Sequence, residues 1–203
     1  MVTKIKTAML IPAAGKSSRM GEPKQLLHWE DTNLLGHTIK QGVAAGIKDI
    51  YVVLGAFHEK IKKTIDTTGV TILYNPEWEK GMGNTIARGT QEIINSPENY
   101  QRILIALCDQ PLIEPTYYKK LLKTSQKDHI WAVATCYGKK YGVPAVFKSD
   151  IFGKLVKLNG KVGAKDLLNN LGKNAICVEP STSTADIDKP EDYVSIYGNL
   201  KKR

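Results

Sequence analysis

Ile11-Pro12-Ala13-Ala14-Gly15-Lys16-Ser17-Ser18-Arg19-Met20-Gly21-Glu22-Pro23-Lys24 is the stretch on which the reading of this chain turns. It grows out of Ala8-Met9-Leu10-Ile11, an apolar run with the composition of a buried strand. Beyond Pro12 the side chains become small. Small side chains let a ligand approach backbone N–H groups, and glycine adopts backbone angles that other residues resist. Lys16, Arg19 and Lys24 add three cations. Small residues and cations directly after a strand suit a polyphosphate, because amide nests and basic side chains both favour anions. A basic surface loop would use the same residues, and a lone Gly-Lys-Ser would mean no more than that. The Walker P-loop is excluded: it needs a glycine five residues before Gly15, where Leu10 stands.

The bulk of the chain sets bounds around that loop. A length of 203 residues fits one domain over 1–203. Such a chain buries roughly 70% of its unfolded surface and folds without disulfides or structural metals. Apolar residues make up 42% and charged residues 24%, as in ordinary soluble proteins. Cys108, Cys136 and Cys177 are odd in number and far apart, which is neither a metal-ligand pattern nor a disulfide framework. Buried free thiols in a reducing compartment are expected. No apolar run approaches transmembrane length, and Met1-Val2-Thr3-Lys4 lacks the apolar core of a signal peptide. The expected location is cytoplasmic, with no membrane partner. The net charge of +9 is spread along the chain rather than interleaved with aromatics. An anionic small substrate explains it as well as nucleic acid does, and no nucleic-acid partner is expected. Lys201-Lys202-Arg203 reads as a solvated tail.

Strand and helix patterns alternate, which predicts an α/β fold with a mostly parallel sheet. Strands are expected at 6–12, 49–54, 70–74, 103–108, 131–137, 143–147 and 175–178. Helices are expected at 34–45, 58–66, 82–95, 115–126, 150–158, 164–171 and from Pro190 to 197. Pro190 occupies a first-turn position that helices tolerate. A loop with Gly138, Lys139 and Gly142 joins two of the later strands. His28, His37, His58 and His129 show no pairing pattern and read as structural or surface residues.

In open parallel sheets ligands bind beyond the carboxyl ends of the strands. Cys108-Asp109-Gln110-Pro111 leaves such an end, where Asp109 is placed either to ligate Mg²⁺ or to cap a turn. Asp186-Ile187-Asp188-Lys189-Pro190-Glu191-Asp192 puts several acids before a helix, where capping competes with metal binding. Gly81-Met82-Gly83-Asn84-Thr85-Ile86 opens a helix and could turn N–H groups and a hydroxyl toward a nucleotide. It is not a dinucleotide fingerprint, because Ile86 holds the third glycine position.

Taken together, these motifs resemble those of the MobA-like NTP transferases, which act on the molybdenum cofactor. The resemblance runs in order from residue 8 to residue 193. It implies a three-layer Rossmann-like nucleotidyltransferase fold with a mostly parallel mixed sheet. The nucleotide-binding part would span about 1–112, and the acceptor-binding part with the second metal carboxylate about 113–203. Residue by residue, it implies that Pro12, Ala13, Ala14, Gly15, Lys16, Arg19, Lys24, Gly83 and Thr85 bind the nucleotide. Lys24, Arg19 and Asp109 would carry catalysis, Asp109 and Asp188 would hold Mg²⁺, and Gly142 and Pro144 would lie beside the acceptor. Asp186, Glu191 and Asp192 would then be cap and surface residues.

Three departures stand out: Thr85 replaces serine, Lys189 replaces threonine, and Gly160-Lys161-Val162-Gly163-Ala164-Lys165 has lysines where the family has Asp and Arg. The last bears on the acceptor. Ala13-Ala14-Gly15 is closer to the cytidylyl branch, and Ala14 would limit room for guanine. The implied reaction is Mg²⁺-dependent transfer of CMP from CTP to the phosphate of molybdenum-bound molybdopterin, with release of pyrophosphate. A molybdenum hydroxylase would be the partner enzyme. The alternatives are guanylyl transfer, nucleotidyl transfer to another phosphate, or a non-catalytic nucleotide- or cofactor-binding accessory role. The whole reading requires the Asp109 and Asp188 carboxyl groups to meet within reach of one ion.

Overall fold

The computed structural model describes residues 5–200 of the chain, with side chains through Gly198. Met1-Val2-Thr3-Lys4 and Lys201-Lys202-Arg203 lie outside the described residues. Strand β1, Thr7–Ala13, is the apolar run ahead of the glycine loop and is buried almost throughout. A short antiparallel ladder follows, β2 His28–Trp29 with β3 Thr32–Asn33. Helix α1, Leu34–Ala44, starts at Asn33, whose side chain accepts the Gly36 N–H at 2.9 Å.

Next come β4 Asp49–Leu54, α2 His58–Lys62 and β5 Val70–Tyr74. Helix α2 is shorter than the expected 58–66. The Thr64 N–H and hydroxyl both turn back to the Ile61 carbonyl, at 3.0 and 2.8 Å, and close the segment as a turn. Helix α3, Met82–Asn95, leads to β6 Arg102–Ile105 and α4 Pro115–Thr124.

Strands β7 Ala132–Tyr137 and β8 Lys140–Lys148 form a hairpin, so Gly142 lies within a strand rather than in the connecting loop. The expected helix 150–158 is only a 3-10 turn, Ser149–Ile151, and α5 Phe152–Leu155. Helix α6 Ala164–Asn169, β9 Ala175–Val178 and α7 Pro190–Leu200 complete the described chain.

Seven strands form one sheet in the order β5-β4-β1-β6-β8-β7-β9. All neighbours are parallel except β8, which runs antiparallel to both β6 and β7. Alternate residues of β1 feed two separate apolar cores, as the two-residue period of a strand requires. Met9 and Ile11 pack with Leu35, Ile39 and Leu121 under α1 and α4. Leu10 packs with Val53, Ile86 and Phe147 under α3 and α5. The result is a helix–sheet–helix sandwich, the α/β architecture expected. No helix among the described residues is long and apolar enough to cross a membrane.

The expectation of three free thiols is corrected. Cys136 and Cys177 form a disulfide, with Cα atoms 5.2 Å apart. They sit on β7 and β9, which the topology makes neighbours although 41 residues separate them in sequence. Cys108 is the free, buried cysteine among them.

Candidate active site

Strands β1 and β6 run parallel side by side, so the segments leaving their carboxyl ends share one rim of the sheet. The loop after β1 is held from within. Gln25, nearly fully buried, donates through Nε2 to the Ala13 carbonyl at 2.8 Å and the Gly15 carbonyl at 3.0 Å. Ser17 takes a left-handed backbone, φ 56°, and its hydroxyl accepts the Lys24 N–H at 3.1 Å. The 3-10 turn Lys24–Leu26 then aims the Lys24 side chain across the cleft floor.

Lys24 Nζ contacts Asp109 Oδ2 and lies 3.3 Å from Asp188 Oδ1. Two carboxylates 79 residues apart in sequence therefore face a single cation position. Their backbones are tied as well: the Ile187 N–H donates to the Asp109 carbonyl at 2.8 Å. Ile187 is wholly buried with Leu27, Trp29 and Leu34, which fixes the depth of the segment. On its other side the Asp192 carboxylate accepts the N–H groups of Asp188 and Lys189 at 3.0 and 2.9 Å, a helix cap that also orients Asp188. Helix α7 is pinned in turn: the Tyr193 hydroxyl donates to the His28 carbonyl at 2.7 Å, and Tyr193 stacks on Tyr197.

Burial alone would lower the pKa of Lys24, but Asp109 first, with Cys108 and then Asp188 adding to it, outweighs that and holds the ammonium above its ordinary value. Burial, and then the Asp109 charge, pushes the neighbouring Cys108 thiol up to about 12, which keeps it neutral. The Asp109 side chain is only 14% exposed, and its Oδ1 is buried with no hydrogen-bond partner among the described residues. A buried carboxylate oxygen without a donor is costly unless something cationic meets it. Two hard oxygen donors with one of them unsatisfied fit a divalent cation such as Mg²⁺. No group of three or more His, Cys, Asp or Glu placed to hold a metal ion occurs among the described residues.

A hollow of about 310 Å³ opens here, lined by Pro12, Ala13, Gly15, Arg19, Lys24 and Asp109 among others. A second, of about 340 Å³, adjoins it and shares Met82 and Leu107. Gln110 crosses the second hollow, donating to the Tyr137 hydroxyl at 2.8 Å and to Asp186 Oδ1 at 2.9 Å. The Tyr137 hydroxyl donates to the Val143 carbonyl at 2.6 Å. Gly142 is required beneath that ring, since a Cβ there would stand 2.7 Å from Tyr137.

The remaining sequence-predicted residues are placed unevenly. Arg19 reaches the site through an ion pair with Asp188, Nη2 to Oδ2 at 3.2 Å. Lys16 is exposed beside the first hollow but does not line it. Ala14 is buried, and its carbonyl accepts the Ala56 N–H at 3.0 Å. Gly83 is covered: its N–H donates to the Gly160 carbonyl at 3.0 Å, and a Cβ would come within 2.7 Å of the Asn159 and Val162 carbonyls. Thr85 is buried, its hydroxyl near the Gly81 carbonyl and the side-chain amide of Asn75, both at 3.3 Å. Pro144 is also buried, follows a cis peptide bond, and accepts from the Thr135 hydroxyl at 2.6 Å. Gly142 and Val143 line the second hollow in its place. Sequence reasoning missed Gln25, Gln110 and Tyr137. It read Asp186 as a cap, where the structure turns it toward Gln110.

The family model of the MobA-like NTP transferase domain matches residues 9–175. The chain belongs to the MobA-like NTP transferase family. The purine catabolism protein PucB of Bacillus subtilis is 27% identical over 192 residues, covering 89% of this chain and 91% of that protein. A probable molybdenum cofactor guanylyltransferase of Bacillus cereus is 24% identical over 204 residues, 96% and 98% of the two chains. The molybdenum cofactor cytidylyltransferase of Escherichia coli is 20% identical over 186 residues, 92% and 93%. Among solved structures, Rv0371c from Mycobacterium tuberculosis superposes with a TM-score of 0.82 at 24% identity, over 97% of this chain and all of that one. A complex of the same protein with manganese gives a TM-score of 0.77 at 21% identity, covering 95% and 98%. The MobA-like match covers the glycine loop and Asp109; Asp188 lies beyond it.

Proposed function

We propose that this nucleotidyltransferase moves CMP from CTP to the phosphate of molybdenum-bound molybdopterin and releases pyrophosphate. The observation that carries the reading is the convergence of Asp109 and Asp188 on one cation position, with Asp109 Oδ1 unsatisfied, at the edge of a cationic glycine loop. In the reaction an oxygen of the acceptor phosphate attacks the α-phosphorus of CTP. The bond from that phosphorus to the α–β bridging oxygen breaks, and pyrophosphate leaves with the electron pair. A phosphomonoester has a second pKa near about 6, so the attacking oxygen is already ionised and no general base is needed. The protein's task is alignment and charge neutralisation.

Asp109 and Asp188 would hold Mg²⁺, which when bound neutralises charge on the triphosphate and on the departing pyrophosphate. Lys24, kept protonated by its carboxylate neighbours, contributes fixed positive charge on the cleft floor. Arg19, with Lys16 at the rim, holds the triphosphate. Pro12, Ala13 and Gly15 flank the nucleotide, and Gln25 keeps their backbone in place. Gly83 and Thr85 support the base side from within, by packing. The acceptor occupies the second hollow, beside Gly142 and Val143, with Gln110, Tyr137 and Asp186 as its polar wall. A manganese complex of the structurally similar Rv0371c supports a divalent-metal requirement.

Guanylyl transfer is the second reading, favoured by the likeness to a probable guanylyltransferase across nearly the whole chain. Pyrophosphate release measured with each nucleotide, with and without molybdenum cofactor, separates the two. Cofactor-dependent release with CTP is expected. Release with GTP alone selects the second reading, and nucleotide binding without release leaves an accessory role.

A further inference from the structure

Arg102 is the first residue of β6 and is only 5% exposed, yet no carboxylate pairs with it among the described residues. Among the described residues its guanidinium makes one hydrogen bond, Nη1 to the Leu122 carbonyl at 3.1 Å. A guanidinium carries five donors and stays charged in proteins. Burial without a counter-ion is costly, and here burial alone pulls its pKa below the ordinary value.

Arg102 lines an open hollow of about 800 Å³ at the amino-terminal ends of β1, β4 and β6, the edge of the sheet opposite the site described above. Lys6, Lys48, Lys119 and Lys123 stand around it, against one acid, Asp49. Lys6 is paired with Glu98, whereas no ion pair holds Lys48, Lys119 or Lys123 among the described residues. The floor is apolar, with Ile47 and Leu122. A concave apolar floor, a buried guanidinium with donors to spare and a ring of free ammonium groups together describe a receptor for a multiply charged oxyanion with a compact apolar body. A flat basic patch would suit a duplex; a hollow with its strongest donor at depth does not.

We propose that this hollow is a second binding site, specific for a small organic phosphate and independent of the catalytic cleft. Phenyl phosphate is the probe, titrated by calorimetry into the full chain at low salt without divalent metal, with inorganic phosphate as comparison. One site is expected, tighter for phenyl phosphate because of the apolar floor. Affinity should survive Arg19→Glu in the glycine loop. It should fall about tenfold or more in the exposed pair Lys119→Glu/Lys123→Glu, which removes two ammonium groups and sets two carboxylates against the anion. Arg102→Met should show the same loss if it folds, and the lysine pair decides the matter if it does not. Unchanged binding in the lysine variant, loss of binding in Arg19→Glu, or no binding by the wild-type chain would each overturn the proposal.

Discussion

Asp109 shows how little of a residue's role lies in its own surroundings. One oxygen touches Lys24 and the other is buried without a donor. If Asp109 holds the metal as proposed, Asp109→Asn should keep the fold but lose roughly 100-fold or more in turnover, since a metal ligand supplies several kcal/mol of charge stabilisation. Initial rates at saturating Mg²⁺, with circular dichroism as the folding control, test this. Gln25 is the counterpart that works through structure. Gln25→Met removes the donor from the Ala13 and Gly15 carbonyls and should cost about 1–3 kcal/mol, read as a lower urea midpoint at unchanged slope. At this scale the sequence was half informative. That Asp109 and Asp188 would come together was legible from the family-like motifs that carry them, one after β6 and one before α7. Gln25 was not, because a glutamine between Lys24 and Leu26 carries no pattern until the chain folds back on itself.

Elements bring these residues together, and two of them can be tested. The first turn of α3 is sealed by the segment 159–162, which approaches too closely for any side chain at Gly83. Gly83→Ala should push that segment away at a cost of about 1–3 kcal/mol, and hydrogen exchange should rise at 159–163 before it rises in the sheet. Helix α1 is docked on the Asp109 side by His37, whose Nε2 lies 3.0 Å from the Pro111 carbonyl. Burial lowers the His37 pKa against the opposing pull of Glu30 and that carbonyl. The folded chain thus binds fewer protons than the unfolded chain just below the ordinary histidine value. Stability should fall as pH drops through that range, and His37→Gln should flatten the dependence, as urea melts between pH 7 and 5 would show. Element bounds were read well where periodicity was strong: 49–54, 82–95 and 175–178 stand as expected. Helix α2 fell short because Thr64 closes a turn by side-chain bonding, which apolar spacing does not encode.

For the whole molecule, the alternation of strands and helices predicted the sheet, but not the order of its strands. The pairing of Cys136 with Cys177 depends on that order, with β9 returning beside β7. Spacing along the chain gave no hint of it. The two ends of the sheet differ in charge: Arg19 and Lys24 in the cleft are offset by Asp109 and Asp188, whereas the Arg102 hollow sets five cations against Asp49 alone. Triphosphate binding at the loop should weaken as salt rises from about 0.05 to about 0.5 M, as the screening length shortens. Arg19→Ala should lessen that dependence as well as the affinity, which calorimetry with CTP across the salt series measures.

The tie between Ile187 and Asp109 has a consequence for biosynthesis. All seven strands of the main sheet are complete once translation passes Val178, whereas Asp188, 164 residues after Lys24, has yet to emerge. A nascent chain can thus lay down its scaffold first, and brings the Asp188 carboxylate to Asp109 only as Ile187 settles against Leu27, Trp29 and Leu34. Premature termination in that interval would leave a protein of nearly correct shape with Lys24 facing one carboxylate instead of two.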